Sequence, residues 1–360
     1  MNVLMIARKT LNTSPGGDTV QINSTAEYLR KLNVNVDILF SGDKVDYSRY
    51  DLMHFFNIIR PDDIVDHVRK SGLPFVVSTI YVDYSEFEKR NRKGALKLVT
   101  NVFGADNLEY LKAIARVFIN GYRLNSVYYL LNGHRSSIRY IATKSAALLP
   151  NSHSEFRRFN KQYSTGSTYF KIPNAIDVHT FDETVTPNEA FRNHVLCVGR
   201  IEGRKNQLNL IRAMAGTGIP LTIVGKPSPN HLSYFEECRV LAEKSDNVKI
   251  IEHMDHRELS AAYKAAKVHV LPSWFETTGL SSLEAAVMDC NIVVTRKGDT
   301  EEYFEDMAWY CEPDDISSIR EQVTLAFEAP VSSRLKEKIL SDYTWNKTAE
   351  KTLEAYKAVV

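Results

Sequence analysis

The 360-residue sequence carries none of the short signatures that would announce a common cofactor. Its four cysteines (Cys197, Cys238, Cys290 and Cys311) are far apart and form no CxxC pair. That excludes a disulfide framework and a paired-thiolate zinc site, and no metal site is expected. Three of the four lie in or beside apolar runs and are expected to be reduced core residues, which suits a cytoplasmic protein. The GxGxxG fingerprint and the GxxxxGK[ST] loop are both missing, which argues against nicotinamide and ATP chemistry. No apolar run approaches the ~20 residues of a membrane span. The opening run MNVLMIARK stops at Arg8 and Lys9, too soon for a signal-peptide core. Formal net charge is only +1, so no global field points to nucleic acid.

What is present is ordinary for a folded protein, with 44% hydrophobic and 25% charged residues. The length predicts two domains. Short apolar runs alternate with helical periodicity throughout. Val3–Ala7, Val34–Phe40, Leu52–Phe56, Pro74–Ile80 and Ala146–Pro150 read as strands. Later, His194–Val198, Leu221–Val224, Val248–Ile251, Val268–Leu271, Ile292–Thr295 and Trp309–Cys311 do the same. Strands alternating with helices predict doubly wound parallel sheets, whose ligands sit at the carboxyl ends of the strands. The two halves share this rhythm, so two similar α/β domains with a cleft between them are expected. The polar stretch Asp182–Asn193 is a candidate boundary.

The first strand runs into a polar loop with Pro15-Gly16-Gly17, and a helical pattern starts at Thr19. This loop could set amides against a phosphate, or be an ordinary turn. Tyr81 and Asp83 close a strand, and His153 stands in the loop Asn151-Ser152-His153-Ser154-Glu155. Each is a cleft candidate or a surface residue. The segment Lys89–Leu149 holds eleven Lys/Arg and two acids, with aromatics interleaved. Three readings compete for it: a solvated basic helix face, a contact with an anionic membrane surface, and a nucleic-acid surface, which no accompanying motif supports.

The most informative stretch is Val268–Asp289. A strand ends at Pro272, a polar turn follows, and Leu280, Leu283, Ala286 and Val287 recur at helical spacing from near Gly279. A helix start attracts anions. Arg200 and Lys205, just after another strand, add two cations, which suits a diphosphate. Glu276 and Glu284 lie eight residues apart. A carboxylate beside a phosphate is costly unless it binds something else, and hydroxyls are its natural partners. Phosphates flanked by hydroxylated rings describe a sugar nucleotide.

These residues carry a family resemblance. Glu276-x7-Glu284, written ETTGLSSLE, is similar to the signature of retaining glycosyltransferases of family 4, which have the GT-B fold. Gly199-Arg200 with Lys205, Gly16-Gly17, Pro173-Asn174-Ala175-Ile176-Asp177 and the final Trp345 helix match further landmarks in order. The resemblance implies two Rossmann-like α/β domains facing across a cleft. One would span residues 1–172 plus a returning helix at 344–360 and bind acceptor. The other would span 173–343 and bind the donor. It implies that Arg200 and Lys205 hold the donor diphosphate and Glu276 the transferred sugar. Thr278, Gly279 and Leu280 would lie near sugar and phosphate, Glu284 at the ribose, Met254 near the base, and Asn174 and the Gly16-Gly17 loop beside substrate. Many members carry a His after the fourth strand. Here Tyr81 stands there, with Asp83 and His153 as candidates to replace it.

The implied reaction is retaining transfer of a hexose-type sugar from a UDP- or GDP-sugar to a glycan or lipid-linked hydroxyl acceptor. No DxD motif occurs, which fits a metal-independent enzyme needing no cofactor. By analogy the protein would be cytoplasmic, with peripheral attachment to the inner membrane face through 89–149. The rivals are a GT-B phosphorylase and a non-catalytic nucleotide-sugar-binding regulator.

Overall fold

The computed structural model describes residues 1–13, 16–83, 87, 110, 126–181 and 184–360. The chain divides into two compact units. The first comprises Met1–Tyr81, Glu88–Asn174 and Trp345–Val360, and the second Val82–Phe87 with Ala175–Thr344. Of the basic stretch 89–149, residues 89–109 and 111–125 lie outside the described residues, as do Pro15 and Asp182.

The first unit is built on five parallel strands: β1 (Asn2–Ala7), β2 (Asn35–Phe40), β3 (Leu52–Phe56), β4 (Phe75–Ser78) and β5 (Ala147–Leu148). Their order is β2-β1-β3-β4-β5. The inner strands are short and apolar because both faces are covered, and all five residues of β3 are buried. Helix α1 (Gly17–Lys31) runs on from β1, and α2 (Val65–Ser71) precedes β4. Helix α3 (Val127–Lys144) precedes β5 and α4 (His153–Tyr163) follows it. Gly133 breaks the helical path of α3 with φ +75°. Helix α1 begins two residues before the helical pattern at Thr19 suggests. The Thr19 hydroxyl accepts from Gly16 N at 3.0 Å and closes the first turn early. Gly17 is therefore the first residue of α1 rather than part of the loop.

The chain returns to this unit at its end. Helix α12 (Trp345–Lys357) packs on α1. Its Tyr356 hydroxyl bonds His54 Nδ1 at 2.6 Å, and His54 Nε2 bonds Ser78 Oγ at 2.8 Å. Burial pushes the His54 imidazole down to about 3, so it is neutral here at any physiological pH.

The second unit has six parallel strands: β6 (Val195–Val198), β7 (Leu221–Val224), β8 (Val248–Ile251), β9 (Val268–Leu271), β10 (Asn291–Thr295) and β11 (Trp309–Cys311). Their order is β11-β10-β9-β6-β7-β8. The chain builds outward from β6 to β8, crosses to β9, and builds outward again to β11. The reversal between β6 and β9 opens a crevice at their carboxyl ends, the place where such sheets bind ligands. Helices α5 (Gln207–Met214), α6 (Leu232–Glu243), α7 (His256–Ala265), α8 (Leu280–Val287), α9 (Thr300–Phe304), α10 (Ile316–Glu328) and α11 (Ser333–Asp342) complete the unit. Residues 184–193 lie inside this unit rather than at its edge. Asn188 N bonds Ala261 O at 2.9 Å, so the polar stretch is tied down on α7. All four cysteines are free and buried, and burial raises Cys197 to about 12. Among the described residues, no helix is long and apolar enough to cross a membrane.

Candidate active site

The loops leaving β6 and β9 meet where the strand order reverses. After β6 come Gly199, exposed Arg200 and a single 3-10 turn, Gly203–Lys205. After β9 come Pro272, Ser273, Trp274 and Glu276. Trp274 N bonds Arg204 O at 2.9 Å and joins the two loops. Lys205 Nζ donates to Glu276 Oε1, and Ser273 Oγ donates to the same oxygen at 2.8 Å. Glu276 is buried and Lys205 partly so. A buried carboxylate needs this company, since an unpaired one would carry a large desolvation cost.

Two glycines let the exits of β7 and β10 pack against those of β6 and β9. Gly225, after β7, has φ +159°, and a Cβ on it would stand 1.9 Å from Gly199 O. Gly298, after β10, has φ +115°, and its Cβ would stand 1.9 Å from Glu276 O. The backbone closes the second contact with Glu276 N to Lys297 O at 3.0 Å and Asp299 N to Glu276 O at 2.9 Å.

Asn206 is buried with φ +64° and ψ 28°, and it starts α5. Its side-chain amide donates to Pro272 O at 3.0 Å and to Pro313 O at 2.6 Å. Gln207 Nε2 donates to Arg200 O at 2.8 Å.

Helix α8 opens at Gly279, which caps it in the left-handed conformation at φ +67° without a side-chain cap bond. Its first N–H groups keep their partial positive charge. Thr278 is buried and Leu280 half-buried beside it. Glu284, one turn on, has no hydrogen-bond partner among the described residues and stays partly accessible. Enclosure by protein pushes its carboxyl up to about 7. Below the site, His269 on β9 is fully buried. Burial, with the nearby Lys205 charge second, pushes its imidazole down to about 3.

Thus Lys205 and Glu276 are in direct contact, and Thr278, Gly279, Leu280 and Glu284 share one helix start. Met254 follows β8, two strands away from β6, and packs against the hydrophobic core. In the first unit Tyr81 is half-buried and packs edge-on against Phe159 and Tyr163, with ring centroids 5.6 and 6.0 Å away. His153 is exposed and bonds the Tyr169 hydroxyl through Nδ1 at 3.1 Å. Asn174 is buried and Asp83 exposed. Gly16 is extended, at φ −154°.

The sequence did not single out Glu155. It is fully buried and accepts from Thr79 Oγ1, from Tyr81 N at 2.8 Å and from Asn151 N at 2.9 Å. One carboxylate so braces the loops leaving β4 and β5. Arg8 is the other omission. It grips Asp18 with two bonds, Nε to Oδ2 at 2.6 Å and Nη2 to Oδ1 at 3.0 Å.

Comparison with known proteins bears on the fold and on part of the chain. Residues 182–341 match the family model described as Glycosyl transferases group 1. A D-inositol 3-phosphate glycosyltransferase from Pseudarthrobacter chlorophenolicus is 31% identical over 178 residues, covering 44% of this chain and 41% of that protein. The chain spans about two-fifths of the length of such curated relatives. Sucrose-phosphate synthase from Thermosynechococcus elongatus superposes with a TM-score of 0.75 at 15% identity, covering 99% of this chain and 98% of that one. Anabaena HepE in complex with UDP-glucose does so with a TM-score of 0.72 at 13% identity, covering 99% and 100%. The fold is GT-B, two parallel-sheet α/β domains.

Proposed function

From a chain that carries a group 1 glycosyltransferase region on a GT-B fold, we propose a retaining, metal-independent glycosyltransferase. It moves a hexose-type sugar from a UDP- or GDP-sugar to a hydroxyl of a glycan or lipid-linked acceptor. The observation that carries this reading is the meeting of Lys205 and Glu276 at the β6/β9 reversal, beside the open start of α8.

Lys205, Arg200 and the α8 N–H groups hold the diphosphate. Glu276 and Glu284 accept hydroxyl protons from the sugar and the ribose. Without substrate, Lys205 and Glu276 neutralise each other. A bound diphosphate draws the ammonium toward itself and frees Glu276 for the sugar. In the reaction the anomeric carbon–oxygen bond to the diphosphate breaks and a bond to the acceptor oxygen forms on the same face. The acceptor proton passes to the departing phosphate oxygen, so no strong protein base is needed. Charge gathers on the leaving diphosphate, where each aimed donor is worth about 3 kcal/mol. Asn174, Met254, Asp83 and the Gly16-Gly17 segment complete the substrate contacts, with Tyr81 and His153 on the acceptor side. Attachment to an anionic membrane face through 89–149 belongs to the same proposal, as does a cytoplasmic location.

A thermal-shift screen of UDP-, GDP- and ADP-sugars tests the donor. A donor held at 100 times its Kd stabilises the fold by about 2.7 kcal/mol. Absence of a shift with every nucleotide sugar refutes the reading.

A further inference from the structure

We infer that Asn206 is the positioning residue that sets Lys205 against Glu276. The inference rests on the glycosyltransfer reading, because it says how the donor site keeps its shape.

The residue after Lys205 must satisfy two demands at once. Its backbone is left-handed, at φ +64°, where the first residue of an ordinary helix would not be. Glycine, asparagine and aspartate accept that conformation most readily. Its side chain also supplies two N–H donors to carbonyls on different loops: Pro272 O after β9 and Pro313 O after β11. Aspartate has no such donors and glycine has no side chain. Glutamine and lysine have donors but resist the backbone. Asparagine meets both demands. The exits of β6, β9 and β11 are therefore joined through one buried amide group next to Lys205.

The two bonds are not equivalent. Pro313 O also receives Asn209 Nδ2 at 3.1 Å, so it keeps a donor if Asn206 is lost. Pro272 immediately precedes Ser273, which holds Glu276. Loss of the Asn206 amide thus falls on the loop that carries the carboxylate. Asn206 touches no reacting atom on this account and acts through Glu276 and Lys205.

The test compares three proteins: wild type, Asn206→Gly and Asn209→Ala. Glycine preserves the left-handed backbone and removes the tether. Asn209→Ala removes a bond to Pro313 O but leaves Pro272 O alone. Affinity for UDP-glucose and GDP-mannose is measured by calorimetry, well below the melting temperature of each protein. Amide exchange over residues 273–279 is followed alongside. Asn206→Gly is expected to weaken the better donor at least about tenfold and to speed exchange at the Trp274 and Glu276 amides, with Asn209→Ala within about twofold of wild type. If the glycine variant does not fold, Asn206→Asp keeps the backbone and removes both donors; because its carboxylate adds charge beside Lys205, it is judged on exchange at the Trp274 and Glu276 amides, where unchanged protection overturns the inference. Equal donor affinity in wild type and Asn206→Gly overturns the inference, and so does an equal loss in Asn209→Ala. If wild type binds neither, the comparison is made with the donor that the thermal-shift screen selects; if no nucleotide sugar binds wild type, the glycosyltransfer reading fails first and the positioning role falls with it.

Discussion

Each sheet reverses its strand order once, after two strands in the first unit and after three in the second, but the two use their acids differently. In the first unit the carboxylates near the strand ends are taken up by the fold. Asp18 is gripped by Arg8, and Glu155 collects three donors from the loops after β4 and β5. In the second unit Glu276 is held by a lysine on a turn and by one hydroxyl, and Glu284 by no hydrogen bond among the described residues. A carboxylate saturated by fixed donors is a strut. A carboxylate held by a flexible ammonium, or left to water, can change partners. Two sheets that each reverse once thus yield a braced half and a half whose acids keep exchangeable partners.

The sharpest way to break this contrast is at Glu155. Glu155→Ala strands three donors, and buried unpaired donors cost roughly 1–3 kcal/mol each. Loss of about 3–5 kcal/mol in denaturant unfolding is expected, and a change below about 1 kcal/mol would remove the strut. Lys205→Ala comes next and should act on the other property. Turnover with the best donor is expected to fall at least about 100-fold, or about 3 kcal/mol, in a protein that still folds but melts at a lower temperature, because buried Glu276 loses its ion-pair partner. Near-normal turnover would show that the lysine does not carry the diphosphate.

The smallest effect, and the one with a pH signature, is at Glu284. Its folded value lies near 7, above the usual carboxylate value of 4.5. Between those values the unfolded chain is ionised and the folded one protonated, so stability falls as pH rises through that window. Above 7 the cost is constant. Glu284→Gln removes it, so the variant is expected to gain up to about 2–3 kcal/mol over wild type at pH 8 and little at pH 4.5. A ribose diol favours the ionised form, so donor binding by wild type should tighten from pH 6 to 8 and release protons. Flat affinity across that range by calorimetry would remove the ribose role.

Much of the fold could be read from the sequence because parallel strands covered on both faces leave short apolar runs. Leu221–Val224 and Trp309–Cys311 appear with the ends the pattern suggests. Lys205 and Glu276 could be picked out because each charge follows such a run. That they pair could not, since the strand order that makes β6 and β9 neighbours is a long-range choice. Ser152-x-x-Glu155 has the spacing of a helix-capping box, and Ser152 Oγ does accept from Glu155 N at 2.8 Å. The glutamate, however, turns away to loops 74 and 76 residues distant. Nothing local announces that. Nor does the sequence show that Asn206 bends left-handed, because a Lys-Asn pair before a helical pattern reads as an ordinary polar start.

The two glycines that let the loops interlock have a bearing on how variation in this chain should be interpreted. Positions 225 and 298 tolerate no methyl group, because peptide oxygens already fill that space. A mutational survey would therefore score both as indispensable, and their neighbours in the crevice would tempt a reader to place them on the substrate. They would instead be silent spacers, intolerant for lack of room and blind to the identity of whatever the crevice holds.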